Sequence, residues 1–102
     1  MISHVVMLAL PDDHDAAELA QVMAGLAELV GVLPGFTGFN HGPNRDYEGK
    51  SPGFPYGFIC RFRDRAALDA YATDPRHRQL GARLVTLCDG DARNILVYDI
   101  ES

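Results

Sequence analysis

Residues 2 to 10, Ile-Ser-His-Val-Val-Met-Leu-Ala-Leu, read as a β-strand rich in Val, Leu and Met that stops at a proline. Successive side chains of a strand point to opposite sides, so Ile2, His4, Val6, Leu8 and Leu10 share one face and Val5, Met7 and Ala9 the other. Both faces call for burial. In a chain of 102 residues helices can cover one face of a sheet, which leaves the second for another cover, most simply a second copy of the chain. A homodimer formed through sheet packing is therefore expected.

Length and balance agree with that need. With 47% hydrophobic and 23% charged residues, the chain is a single globular domain over residues 1–102. A domain this small buries only about 60 to 70% of the surface its unfolded chain exposes, and association supplements such a core. The net charge of -5 and the scattered Lys and Arg residues exclude a phosphate-backbone partner, so no nucleic acid is expected. Arg76, Arg78 and Arg83 read as solvated helix residues. Cys60 and Cys88 form no C-x-x-C pair and sit in apolar runs, where a free thiol behaves as a small hydrophobe. A reducing, cytoplasmic setting fits. The N-terminal apolar run lacks a basic flank and is too short to span a bilayer, so neither export nor a membrane partner is expected.

Further along, Asp15-Ala-Ala-Glu18 has the spacing of a capping box, and Leu19, Val22, Met23, Leu26, Leu29, Val30 and Leu33 follow at steps of three and four. This predicts a helix stopped by Pro34-Gly35, then a strand of about ten residues from Phe36. Residues 43 to 55 are rich in Gly, Pro and Asn and mark a long surface loop with the makings of a lid. Tyr56 to Arg63 alternates as a strand. Asp64 caps a short helix carrying Leu68, Tyr71 and Ala72, and Asp74-Pro75 ends it and starts another whose inward stripe is His77, Leu80, Gly81, Leu84, Leu87 and Cys88. A turn at Asp89-Gly90-Asp91 leads to a last strand, Asn94 to Ile100. The order β-α-β-β-α-β, with its second helical region split, is that of an α+β, ferredoxin-like protomer: an antiparallel sheet with helices on one face.

His4 and His77 both fall on faces that meet the core, and an inward imidazole needs a partner or a pocket. His77 lies in the first turn of its helix, where the helix dipole disfavours the imidazolium and keeps a neutral ring available as a base. The Pro75 break offers a way to fold the Tyr71 phenol back toward His77 as a dyad. Against this stands the reading of all three as hydrogen-bonded or packed core residues. His14 and His41 read as surface residues. No H-x-x-x-H, H-E-x-x-H, phosphate loop or nucleophile elbow occurs, so neither a metal nor a cofactor is expected.

Met1-Ile-Ser-His-Val-Val-Met, Leu33-Pro-Gly-Phe, Gly53 to Phe62, and Ala67-Leu-Asp-Ala-Tyr-Ala-Thr-Asp-Pro-Arg-His77 together resemble the stress-responsive A/B barrel (Dabb) family of dimeric α+β barrel proteins. The resemblance implies a ferredoxin-like protomer paired sheet to sheet with a second copy. It also implies site residues. Polyketide cyclases of the family use a first-strand histidine and a tyrosine and histidine around the late helix break, positions that fall on His4, Tyr71 and His77. In such a cyclase the Tyr and His pair abstracts a proton next to a carbonyl while the strand histidine orients a small hydrophobic substrate, without a cofactor. Two positions depart from those enzymes: Leu26 stands where they carry a tyrosine, and Asp74 where a histidine is usual. Two functions stay open, a cofactor-independent cyclase or lyase acting on a small aromatic or hydrophobic compound, and a noncatalytic stress-responsive dimer with structural histidines.

Overall fold

In the computed structural model of the chain, which describes residues 1–102, helix α1 (Ala16–Glu28) starts where the Asp15 carboxylate accepts a hydrogen bond from the Glu18 backbone N–H at 3.0 Å. This satisfies one of the donors that a first helical turn leaves free. The other half of the capping box is not made. Glu18 instead takes the Arg83 guanidinium, with Arg83 Nε 2.9 Å from Oε2, because a charge-assisted two-pronged pair outcompetes a neutral N–H for a carboxylate. Arg83 belongs to α3 (Pro75–Leu87), so the pair ties the two helices together instead of leaving Arg83 solvated.

Helix α1 also ends before the apolar spacing does. The N–H groups of Leu29 and Val30 reach back only three residues, to Leu26 and Ala27, and Gly31 then takes a φ of 78°, which breaks the right-handed path. Leu29 and Leu33 stay buried nonetheless. A tight turn folded onto the same core continues the three-and-four spacing without continuing the helix.

Strands β1 (Ile2–Leu8), β2 (Phe36–Pro43), β3 (Tyr56–Phe62) and β4 (Ile95–Glu101) form one antiparallel sheet in the order β2-β3-β1-β4. Strand β1 stops two residues short of Leu10, and β2 runs for eight residues with a bulge between Phe36 and Gly38. Helix α2 (Arg65–Thr73) is capped by Asp64, which accepts from the Ala67 N–H at 3.0 Å. Asp74 does the same for α3 at Arg76, with Pro75 in the first turn where its missing N–H goes unneeded. The result is the α+β, ferredoxin-like order with a split second helical region.

All three helices lie on one side of the sheet. Val6, Leu8, Phe58, Cys60 and Phe62 point into that side and are buried, meeting Val22, Met23 and Leu26 of α1, Leu68 and Tyr71 of α2, and Leu80 and Leu84 of α3. The opposite face has no cover within the chain. Its register runs in three rows across the sheet: Gly38, Arg61, Ser3 and Ile100; Asn40, Ile59, Val5 and Tyr98; Gly42, Gly57, Met7 and Leu96.

The segment from Asn44 to Pro55 is ordered by hydrogen bonds within itself. The Asp46 carboxylate accepts from the backbone N–H groups of Lys50 and Ser51 and from the Ser51 hydroxyl, and Asn44 donates to the Phe54 carbonyl.

Two glycines should respond in opposite ways to alanine. Gly35 has a φ of 80° and a Cβ there would lie 2.6 Å from the Ala67 Cβ, so Gly35→Ala should lower the unfolding free energy by about 2 kcal/mol or more. Gly81 sits inside α3 with open space around its Cβ position, so Gly81→Ala should raise stability by about 0.5–1 kcal/mol in urea denaturation.

Candidate functional site

Antiparallel pairing sets His4 of β1 directly opposite Asp99 of β4, on the helix side of the sheet. His4 Nδ1 lies 2.6 Å from Asp99 Oδ1, a short contact of the charge-assisted kind. An ionised carboxylate can only accept, so toward it Nδ1 is the donor and Nε2 is the ring nitrogen left without a partner. The His4 side chain is 16% exposed and that of Asp99 45%, so the dyad stands at the edge of the core and touches solvent through its acid. Asp99 was not among the candidate residues. Its signal in the sequence is a lone carboxylate within the apolar run Ile95 to Ile100, and only strand pairing connects it to His4.

The Asp74-Pro75 break turns α3 back over α2 and brings His77 onto Tyr71, their ring centroids 4.0 Å apart. The His4 ring meets the other side of this cluster edge-on, 6.1 Å from Tyr71. Phe36 and Phe62 pack against the same phenol ring at 5.3 and 5.0 Å. The three candidates thus form one aromatic group with Tyr71 between the histidines.

Their polar atoms, however, go separate ways. Tyr71 is 1% exposed and its hydroxyl oxygen takes the Cys60 thiol as a donor, Sγ 3.7 Å away, with no hydrogen bond to His77. Burial pushes the phenol far above its ordinary range, with Cys60 adding in the same direction, and burial pushes the Cys60 thiol up to about 12. Both groups are neutral. Half-buried His77 points Nδ1 at the Ala72 carbonyl, 3.3 Å away. Burial is the main effect holding His77 below the ordinary imidazole value and His4 acts the same way, while the Ala72 carbonyl and the Asp74 carboxylate oppose them. His77 lies against Tyr71 with the two rings tilted by 36°, and it stays neutral.

An open groove of about 540 Å³ runs between β1, β4 and α2. His4 and Asp99 line it together with Ile2, Leu68 and Ala72, and beside them stands the exposed Arg65–Asp69 ion pair, Nε to Oδ1 2.9 Å. Neither Tyr71 nor His77 lines this or any other groove on the chain. Of the three candidates this groove takes His4 alone. The remaining histidines are local: His14 Nδ1 is 2.8 Å from the Pro11 carbonyl and His41 Nδ1 is 2.6 Å from the Tyr56 hydroxyl.

The sequence profile of the stress responsive A/B barrel domain matches residues 2–102. A dimeric ferredoxin-like protein of unknown function from Jannaschia sp. CCS1 is 48% identical, with 99% of this chain and 98% of that one covered and a TM-score of 0.92. At3g17210 from Arabidopsis thaliana superposes with a TM-score of 0.83 at 20% identity, covering 100% and 95% of the two chains. Hydroxynitrile lyase from Passiflora edulis does so with a TM-score of 0.78 at 15% identity, covering 97% and 90%. These two show a common fold. None of the curated proteins matches the chain. No helix is long and apolar enough to cross a membrane.

The neutral state of His77 has a measurable consequence. Its native pKa lies below the ordinary 6.5, so as pH falls past 6.5 the unfolded chain takes up a proton that the native chain refuses, and stability declines. In His77→Phe that component is absent. Urea unfolding at a series of pH values should show the variant gaining on the wild type as pH drops below 6.5 and levelling off beneath the native pKa. A difference independent of pH would mean that the ring is as easily protonated folded as unfolded.

Proposed function

The chain belongs to the stress responsive A/B barrel family, and on that premise we propose that it is a homodimer that binds a small hydrophobic carbonyl compound in the groove between β1, β4 and α2 and moves a proton on it without a cofactor. The observation that carries this reading is the 2.6 Å contact between His4 and Asp99 beside that groove. An imidazole whose Nδ1–H is held by a carboxylate presents Nε2 as a base, and the carboxylate stabilises the imidazolium formed when Nε2 takes a proton. The groove has the volume of a small-molecule site, with apolar Ile2, Leu68 and Ala72 for the body of the ligand. Arg65 supplies a positive charge for an enolate oxygen.

In this reading His4 is the base and Asp99 orients it. Tyr71 and His77 form the wall behind His4, the phenol serving as a packed partner because its neutral hydroxyl is committed to Cys60. The hydroxynitrile lyase of the same fold offers a precedent for lyase chemistry on this scaffold, at the level of the fold alone.

A second reading is favoured by the burial of Tyr71 and by the absence of both Tyr71 and His77 from every groove on the chain. In it the chain is a noncatalytic dimer and the aromatic group is structural. Solvent deuterium exchange at the α-carbon of β-diketones and aromatic ketones separates the two. The wild type should accelerate exchange, and His4→Ala and Asp99→Asn should each lower that acceleration by about 10²-fold or more, with the ligand-induced thermal shift kept in Asp99→Asn. Equal exchange in wild type and both variants would leave the noncatalytic reading standing.

A further inference from the structure

We infer that the groove between β1, β4 and α2 selects uncharged carbonyl compounds over carboxylates of the same shape, and that Asp69 is the residue that decides between them. This rests on the proposed use of that groove and names the class of compound it admits. The charged part of its wall is Asp69, Asp99 and Glu101 against the single guanidinium of Arg65. A ligand entering the groove therefore meets an excess of negative charge.

The fold sets where these charges stand. Side chains of β4 alternate, so Asp99 and Glu101 fall on the same side of the strand, opposite His4 and Ile2 of β1. Two such positions lie about 7 Å apart, close enough for both carboxylates to act on one small ligand. Asp99 is engaged with His4 through Oδ1, and Glu101 has no cation beside it in the chain. On α2, Arg65 and Asp69 stand one turn apart and pair, Nε to Oδ1 2.9 Å.

This pair determines what the one cation of the groove offers. A guanidinium has five N–H donors, and Asp69 takes only the one on Nε. The terminal nitrogens make no hydrogen bond within the chain and are free to donate to a carbonyl oxygen, while their charge is already offset by the acid beside them. A neutral ketone gains that hydrogen bond without electrostatic cost. A carboxylate gains it only against Asp69, Asp99 and Glu101, and if it displaces Asp69 it leaves a third acid unpaired in the same groove. The arrangement suits a neutral ketone in the reaction as well. The α-proton goes to Nε2 of His4 and its bonding pair stays on the substrate as an enolate, so the positive charge forms beside Asp99 and the negative one beside Arg65.

The Arg65 and Asp69 side chains are 78% and 60% exposed, so solvent weakens their field and the preference is moderate, about tenfold at low ionic strength. 4-Acetylbenzamide and 4-acetylbenzoate share one skeleton and differ in charge, and isothermal titration calorimetry with each measures the preference as a ratio. The wild type should bind the amide about tenfold more tightly at about 0.01 M ionic strength, and by less at about 0.15 M. Asp69→Asn releases the charge of Arg65 and should bring the two ligands to near equal affinity. Adding Arg65→Gln to it should restore the preference for the amide, because Asp99 and Glu101 remain. Each ratio is taken within one variant, so a loss of stability that weakens both ligands alike cancels. Equal affinities in the wild type at low ionic strength would overturn the selection and leave the groove reading intact. A ratio unchanged in Asp69→Asn would overturn the role of Asp69. Binding of neither ligand to the wild type at millimolar concentration would overturn the groove reading, and the selection with it.

Discussion

The pairing of β1 with β4 sets both faces of the molecule at once. Side chains alternate with a period of two, so the register that places Asp99 beside His4 also places Tyr98 and Ile100 on the open side. A slip of one residue would bring Tyr98 and Ile100 under the helices and expel the acid from His4. The core, the dyad and the uncovered face are thus one arrangement seen from three sides. It is held by the central position of β1, which pairs with a strand on each side.

Within the core the distribution of polar groups follows from burial. A phenol, a thiol and an imidazole pack together between sheet and helices, and each stays neutral because a charge there would lose its hydration without a counter-ion. His4 differs because the edge strand brings it an acid that is itself partly solvated. This separates two kinds of histidine in one aromatic group: His77, held neutral against Tyr71, and His4, oriented by Asp99. The Leu26 side chain is buried in the same apolar layer and adds no polar group to it.

Much of this fold can be read from side-chain periodicity and caps. Asp15, Asp64 and Asp74 each mark a helix start, and the inward residues of the strands and helices follow the spacings of two and of three to four. Where the reading ran past an element, as from Glu28 to Leu33, a turn held the same side of the core as the helix would. The site was less legible. Periodicity brings His4, Tyr71 and His77 to one region, but whether a phenol meets an imidazole or a thiol depends on a few ångströms of packing that spacing does not encode. Asp99 is invisible until strands 1 and 4 are paired, and Glu18 looks like a cap until Arg83 is placed beside it.

Strand β4 also carries a hazard and its remedy. It is an edge strand, open on its sheet face and with Val97 exposed on the helix side, so it presents an apolar ribbon with free backbone groups. Such ribbons template aggregation when they are long, flat and uncharged. Asp99 and Glu101 interrupt this one on the helix side, and the net charge of -5 makes separate copies repel one another. The acid that orients His4 is therefore also a gatekeeper, and replacing it would expose the newly made chain to self-association of the wrong kind.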